Sequence, residues 1–152
     1  IAYEISVILF YKSLNHKNSF KAVRPEVIAV AGLYHDDPEL KTGDIPAPAK
    51  NDIIGARETV EKWEAQVTDQ LWEEYPSFLS GELKALVRQT RLLPIEKEIL
   101  HYADTLAAYA YARDQVSVGN QFMKETMEGI EKYLKSLKYS WLKQLKTEFS
   151  LP

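Results

Sequence analysis

Pro94-Ile95-Glu96-Lys97-Glu98-Ile99-Leu100-His101-Tyr102-Ala103-Asp104-Thr105-Leu106-Ala107-Ala108-Tyr109-Ala110 is the stretch that decides the fold class. Its apolar positions Ile95, Ile99, Ala103, Leu106, Ala107 and Ala110 recur at helical spacing and form one stripe. Pro94 fits the first helical position, where a missing N–H costs nothing, and Glu96 and Glu98 lie near the positive end of the helix dipole. Gly119 is a suitable C-cap.

The same periodicity continues in both directions. Asn120 is placed to start a last helix through Phe122, Met123, Ile130, Leu134, Leu137, Trp141 and Leu145. Upstream, Ser80 to Leu93 reads as a helix. A longer one, capped by Asn51 or Asp52, uses Ile53, Ile54, Val60, Trp63, Val67, Leu71 and Trp72 and stops at Tyr75-Pro76. Pro25 opens another, which Val27, Ile28, Val30, Ala31 and Tyr34 carry to near Asp37, because Pro38 disfavours helical geometry before it. Glu39 to Lys41 reads as a short helical turn. Thr42 to Lys50 is a loop, since Gly43, Pro46 and Pro48 admit neither a long helix nor a central strand. Ile1 to Leu14 is apolar nearly all round, as in a buried helix, and carries no cap before it. The expectation is one all-α domain over residues 1–152, a bundle of about six helices whose N-terminal part lies upstream of Ile1.

Bulk numbers narrow the class. A chain of 152 residues suits one domain with a real core. Lys plus Arg is 19 against 22 for Asp plus Glu, a net charge of -3, and the basic residues form no long block. That gives no support to a protein that coats nucleic acid and leaves room for a local cationic pocket. With no cysteine, disulfides, thiolate metal sites and thiol nucleophiles are excluded; a reducing cytoplasm fits. No run approaches the roughly 18 apolar residues of a membrane span, and no signal peptide is visible.

Chemistry gathers in Tyr34-His35-Asp36-Asp37-Pro38-Glu39-Leu40-Lys41-Thr42-Gly43-Asp44-Ile45-Pro46. His35 offers an imidazole nitrogen and Asp36 a hard oxygen, a donor pair suited to a divalent metal. Adjacent helical residues point about 100° apart, so both reach one ion only at a helix end, where Pro38 puts them. Asp104 is the best internal third ligand: an acid beside a stripe of small residues, where a buried carboxylate needs a partner. A helix-packing salt bridge is the other reading of Asp104. Glu39 is placed to position or activate a water, and Asp44 to accept from a substrate hydroxyl. Capping and turn formation are the ordinary alternatives for both. His101 falls opposite the apolar stripe and reads as surface, and His16 as solvated loop. Lys41 and Lys50 read as surface lysines before phosphate partners, and Glu73-Glu74 as a solvated face. Lys132, Lys135, Lys138, Lys143 and Lys146 read as the charged outer face of a packed helix.

The run Tyr34-His35-Asp36-x-x-Glu39-x-x-Thr42-Gly43-Asp44-Ile45-Pro46-x-Pro48-x-Lys50 resembles the bacterial HD-domain 5'-deoxynucleotidases, metal-dependent enzymes that remove phosphate from deoxyribonucleoside 5'-monophosphates. Ala103-Asp104-x-Leu106-x-Ala108-Tyr109 resembles that family's distal aspartate motif, and Gly119-Asn120 matches too. The resemblance covers most of the chain and is less distinctive over the last thirty residues. It implies that His35, Asp36 and Asp104 are metal ligands. It makes Glu39 the residue that orients the attacking water, and sets Asp44 near the deoxyribose 3'-hydroxyl. It further implies a divalent ion such as cobalt, manganese or magnesium, and a homodimer. A fourth ligand, a histidine, would fall just upstream of Ile1. Two alternatives stand beside this reading: an HD phosphohydrolase acting on nucleoside triphosphates or guanosine tetraphosphate, and a non-catalytic helical interaction protein.

Overall fold

A computed structural model describes residues 1–2, 5–7, 22–43, 45, 50, 53–73 and 75–145. Among the described residues every regular element is helical, so the chain is all-α, as the periodicity predicts. In chain order these are α1 (Pro25–Tyr34), α2 (Glu39–Thr42), α3 (Ala56–Leu71), α4 (Ser77–Val87), α5 (Pro94–Ser117), a 3-10 turn (Gln121–Met123), α6 (Lys124–Ser136) and α7 (Leu142–Leu145). The chain divides into two compact units: Ile1–Gly32 with Leu93–Pro152, and Leu33–Leu92.

The first unit is built around α5. Ile99, Tyr102 and Ala103 from α5 meet Ile5, Val23, Ile28, Leu134, Trp141, Leu142 and Leu145 in one apolar cluster. Each fully buried Ile or Leu there contributes about 1.5–3 kcal/mol. Trp141 is wholly buried. Its ring stands edge-on to Tyr102 at 5.5 Å and stacks on Tyr139 at 5.6 Å. Its indole Nε1 donates to Glu98 Oε2 at 3.0 Å, which satisfies the one polar atom this burial removes from water.

One carboxylate ties the starts of two helices together in this unit. Glu96 is completely buried. Its Oε1 accepts from the backbone N–H and the Nε of Arg24, each at 3.0 Å. Its Oε2 accepts from Arg24 Nη2 at 2.7 Å and from the backbone N–H of Leu93 at 2.8 Å. Leu93 precedes α5, and the Arg24 carbonyl accepts the first bonds of α1, from the N–H groups of Val27 and Ile28. Burial pushes the Glu96 carboxyl up, but the Arg24 guanidinium and the two backbone donors outweigh it and hold the group below the ordinary glutamate range.

In the second unit Val67, Trp72, Leu83, Val87 and Leu92 are buried. Tyr34 stands edge-on to Trp72 at 5.5 Å, which seats the end of α1 against the end of α3. Asp69 accepts from Arg88 at 2.7 Å and faces Lys84 at 3.6 Å, pairing α3 with α4.

Several boundaries differ from the sequence expectation. The helix expected from Ser80 to Leu93 is α4, which starts at Ser77 and ends at Val87. It stops because Gln89 turns left-handed, at φ 54°, while the N–H groups of Gln89 and Thr90 bond the carbonyls of Leu86 and Ala85. α5 ends in the same pattern with Gly119 at φ 100°, so the glycine read as a cap does that work. The single last helix through Leu145 is two helices, because Leu137 is extended (φ -65°, ψ 133°) after Ser136. Ile53, Ile54 and Trp63, expected in a buried stripe, are exposed, as is Ala107 of the α5 stripe. Gly55, left-handed at φ 78°, precedes α3; the expected caps Asn51 and Asp52 lie outside the described residues. Of the expected first helix, residues 2 and 5–7 are helical, with Ile5 and Ser6 buried; the rest lies outside the described residues.

Candidate functional site

α1 ends at Tyr34, three residues before the expected Asp37. The chain then turns through residues 35–38: the Asp37 N–H bonds the Tyr34 carbonyl at 3.1 Å, and the Glu39 N–H bonds the Asp36 carbonyl at 2.8 Å. Pro38 is buried and sits directly before α2, so it closes one helix and pre-forms the next. His35 and Asp36 therefore project from a turn rather than from helix interior. This frees two adjacent side chains to converge, and they do: His35 Nε2 lies 3.2 Å from Asp36 Oδ1. The His35 side chain is 21% exposed and that of Asp36 62%, so the pair is held on the protein side and open on the other.

Glu39 is the first residue of α2 and half-buried. α2 packs on α3 and ends at Gly43, whose φ of 72° and ψ of 158° lie in a region that only glycine occupies without strain. The Gly43 N–H bonds the Glu39 carbonyl at 2.9 Å, and the Thr42 hydroxyl bonds the Pro38 carbonyl at 3.3 Å. The ends of this four-residue helix are thus fixed, and Glu39 with them. Asp44, the expected substrate contact, lies outside the described residues, as do His16 and Glu74. Lys50 Nζ pairs with Glu64 Oε1 at 3.3 Å within the second unit, while Lys41 is exposed.

Asp104 belongs to the first unit. It is exposed on α5, one residue past the buried pair Tyr102 and Ala103. The edge of the stripe is where the sequence put it; its burial is not. His101 is exposed and its Nε2 meets the Tyr133 hydroxyl at 2.9 Å, so it engages α6 as a surface residue.

The chemistry of the donors fits a hard or borderline divalent cation: imidazole nitrogen and carboxylate oxygen, with no sulfur anywhere in the set. Sequence reasoning placed Glu96 and Glu98 only near a helix start. It missed that Glu96 binds Arg24 and that Glu98 binds the Trp141 indole. The Pro94-x-Glu96 spacing carries a capping signal; nothing in the sequence marks Arg24, 72 positions away, as its partner.

No helix is long and apolar enough to cross a membrane among the described residues. No solved structure matches the chain. Among curated proteins it is 27% identical over 128 residues to a 5'-deoxynucleotidase of Vibrio atlanticus, covering 84% of this chain and 66% of that protein. It is 29% identical over 122 residues to one of Pasteurella multocida, covering 79% and 63%. A third, from Vibrio cholerae, is 29% identical over 107 residues, covering 70% and 55%. The chain spans less than two thirds of the length of these relatives. The family model described as 5'-deoxynucleotidase YfbR-like matches residues 2–150, and the chain belongs to that YfbR-like family.

Proposed function

We propose that this chain serves as an HD-type phosphohydrolase domain, over residues 1–152, that removes the 5'-phosphate from deoxyribonucleoside 5'-monophosphates. The observation that carries the reading is the family match over residues 2–150, which runs through the His35–Asp36 contact at the end of α1. Relatives named 5'-deoxynucleotidase support it. In this proposal His35, Asp36 and Asp104 hold a divalent cation, cobalt, manganese or magnesium. Such an ion would supply Lewis acidity toward the phosphate and a water of lowered pKa.

The chain's own residues then divide the remaining work. Glu39, fixed at the start of α2, orients the attacking water and takes its proton. Asp44 accepts from the deoxyribose 3'-hydroxyl and disfavours the ribonucleotide. A homodimer and a cytoplasmic location, for which a chain without cysteine is suited, belong to the same proposal. Phosphate release from a panel of deoxyribo- and ribonucleoside 5'-monophosphates, assayed with each metal on the protein that carries this chain, tests it. Release favouring the deoxyribonucleotides is expected. No release with any metal sinks the reading.

A further inference from the structure

Beyond Glu131 the sequence changes character: Lys132, Lys135, Lys138, Lys143 and Lys146 follow with no acidic residue before Glu148. The fold bends part of this segment around a cleft. α6 ends at Ser136, and extended Leu137 turns the chain away from the helix axis. The Leu142 N–H bonds the Tyr139 carbonyl at 3.2 Å, which closes a turn over residues 139–142. The result is a cleft of about 410 Å³, lined among the described residues by Lys135, Lys138, Lys143, Tyr139 and Ser140 with Leu137 and Leu142, none of them acidic.

Three features separate this cleft from an ordinary lysine-covered surface. Its Tyr139 wall is backed, because Tyr139 stacks on Trp141, which is fully buried and bonded to Glu98. Its cations are not all spent. Lys135, in the last turn of α6, complements the helix dipole and pairs with Glu131. Lys138 and Lys143 lie past that helix, and neither forms an ion pair among the described residues. Finally, its volume falls in the range of small-molecule sites, and apolar and aromatic walls stand beside the ammonium groups.

We infer that this cleft binds a small aryl-bearing phosphomonoester, its phosphate held by Lys138 and Lys143 with the Ser140 hydroxyl, its ring against Tyr139 and Leu142. Two ammonium groups with no ion pair among the described residues match the charge of a phosphate dianion, and a hydroxyl adds a donor to the same oxygens. The inference does not rest on the hydrolase reading: none of these residues has a part in that chemistry.

The test is a titration of the metal-free protein that carries this chain with phenylphosphonate, a hydrolysis-resistant phosphomonoester mimic. Tyr139 ring resonances and the Trp141 indole N–H resonance are the readouts. Saturable shifts at both are expected, weakening as salt rises. Inorganic phosphate should bind more weakly, and benzyl alcohol, which lacks the charge, should leave both signals unmoved. Lys138→Ala and Lys143→Ala should each weaken binding about tenfold. Lys138→Arg with Lys143→Arg should retain it, and phosphate release by the double alanine variant should be unchanged. No saturable shift, wild-type binding by the double alanine variant, or equal effects of benzyl alcohol and phenylphosphonate would each overturn the inference.

Discussion

Two carboxylate sites in this molecule are built on opposite principles. At the start of α5, Glu96 is sealed from solvent and ringed by four donors from Arg24 and Leu93. At the turn after α1, Asp36 meets His35 at 3.2 Å yet leaves most of its side chain in solvent. A buried carboxylate is stable only when its own chain satisfies it, and satisfaction leaves no capacity for a ligand. An exposed one tolerates incomplete protein contacts because water completes them, and water can be exchanged for a metal or substrate. The contrast gives the first site a part in stability; under the proposed function, chemistry falls to the second.

The sharpest way to break this contrast is Asp36→Ala. Loss of partners outside a metal's immediate ligands costs about 10–100-fold, so under the proposed role of Asp36 as a ligand its loss should lower phosphate release by more than about 100-fold. Unfolding free energy should change by no more than about 0.5 kcal/mol, as for other exposed positions. A large loss of stability in denaturant melts would move Asp36 into the structural class. Next comes Glu39→Gln, expected to reduce turnover by about 100-fold or more while metal affinity measured by calorimetry holds.

Glu96→Gln should do the reverse. It removes the charge that faces a part-exposed Arg24, so the expected cost is about 2–3 kcal/mol of stability, below the range for fully buried pairs. Because the folded-state carboxyl is held below its ordinary value, its stabilisation is present above that value and is lost as pH falls through the folded one. Urea melts across the acid range should show this loss in the wild type and a flatter limb in the variant. An equal acid slope in both would remove Glu96 from the account. The smallest effect is Gly43→Ala: at φ 72° and ψ 158° it should cost about 1–2 kcal/mol of strain and disturb α2, which carries Glu39. No change in the melt would mean that the turn relaxes freely.

The sequence carried the helical class and the identity of α1, α3, α5 and α6, because their apolar residues repeat at a period that no loop sustains. Pro38 marked a helix end nearby, but the helical pattern ran on to near Asp37, and the turn that holds His35 and Asp36 was not legible. Helix ends set by backbone conformation were less visible. Gly119 announces a left-handed cap; Gln89 adopts the same geometry without the residue that advertises it. Least visible was the Arg24–Glu96 pairing. Either residue alone reads as surface charge, and only the fold brings them within 3 Å.

The same pairing has a consequence for the order of events during synthesis. The first unit is discontinuous: its residues 1–32 emerge from the ribosome before the whole of Leu33–Leu92, and Glu96 only after that. Leu33–Leu92 is contiguous and can collapse as it appears. Arg24 must wait some seventy residues for its carboxylate. Until α5 is made, Ile5, Val23 and Ile28 lack the helix they pack against in the folded unit.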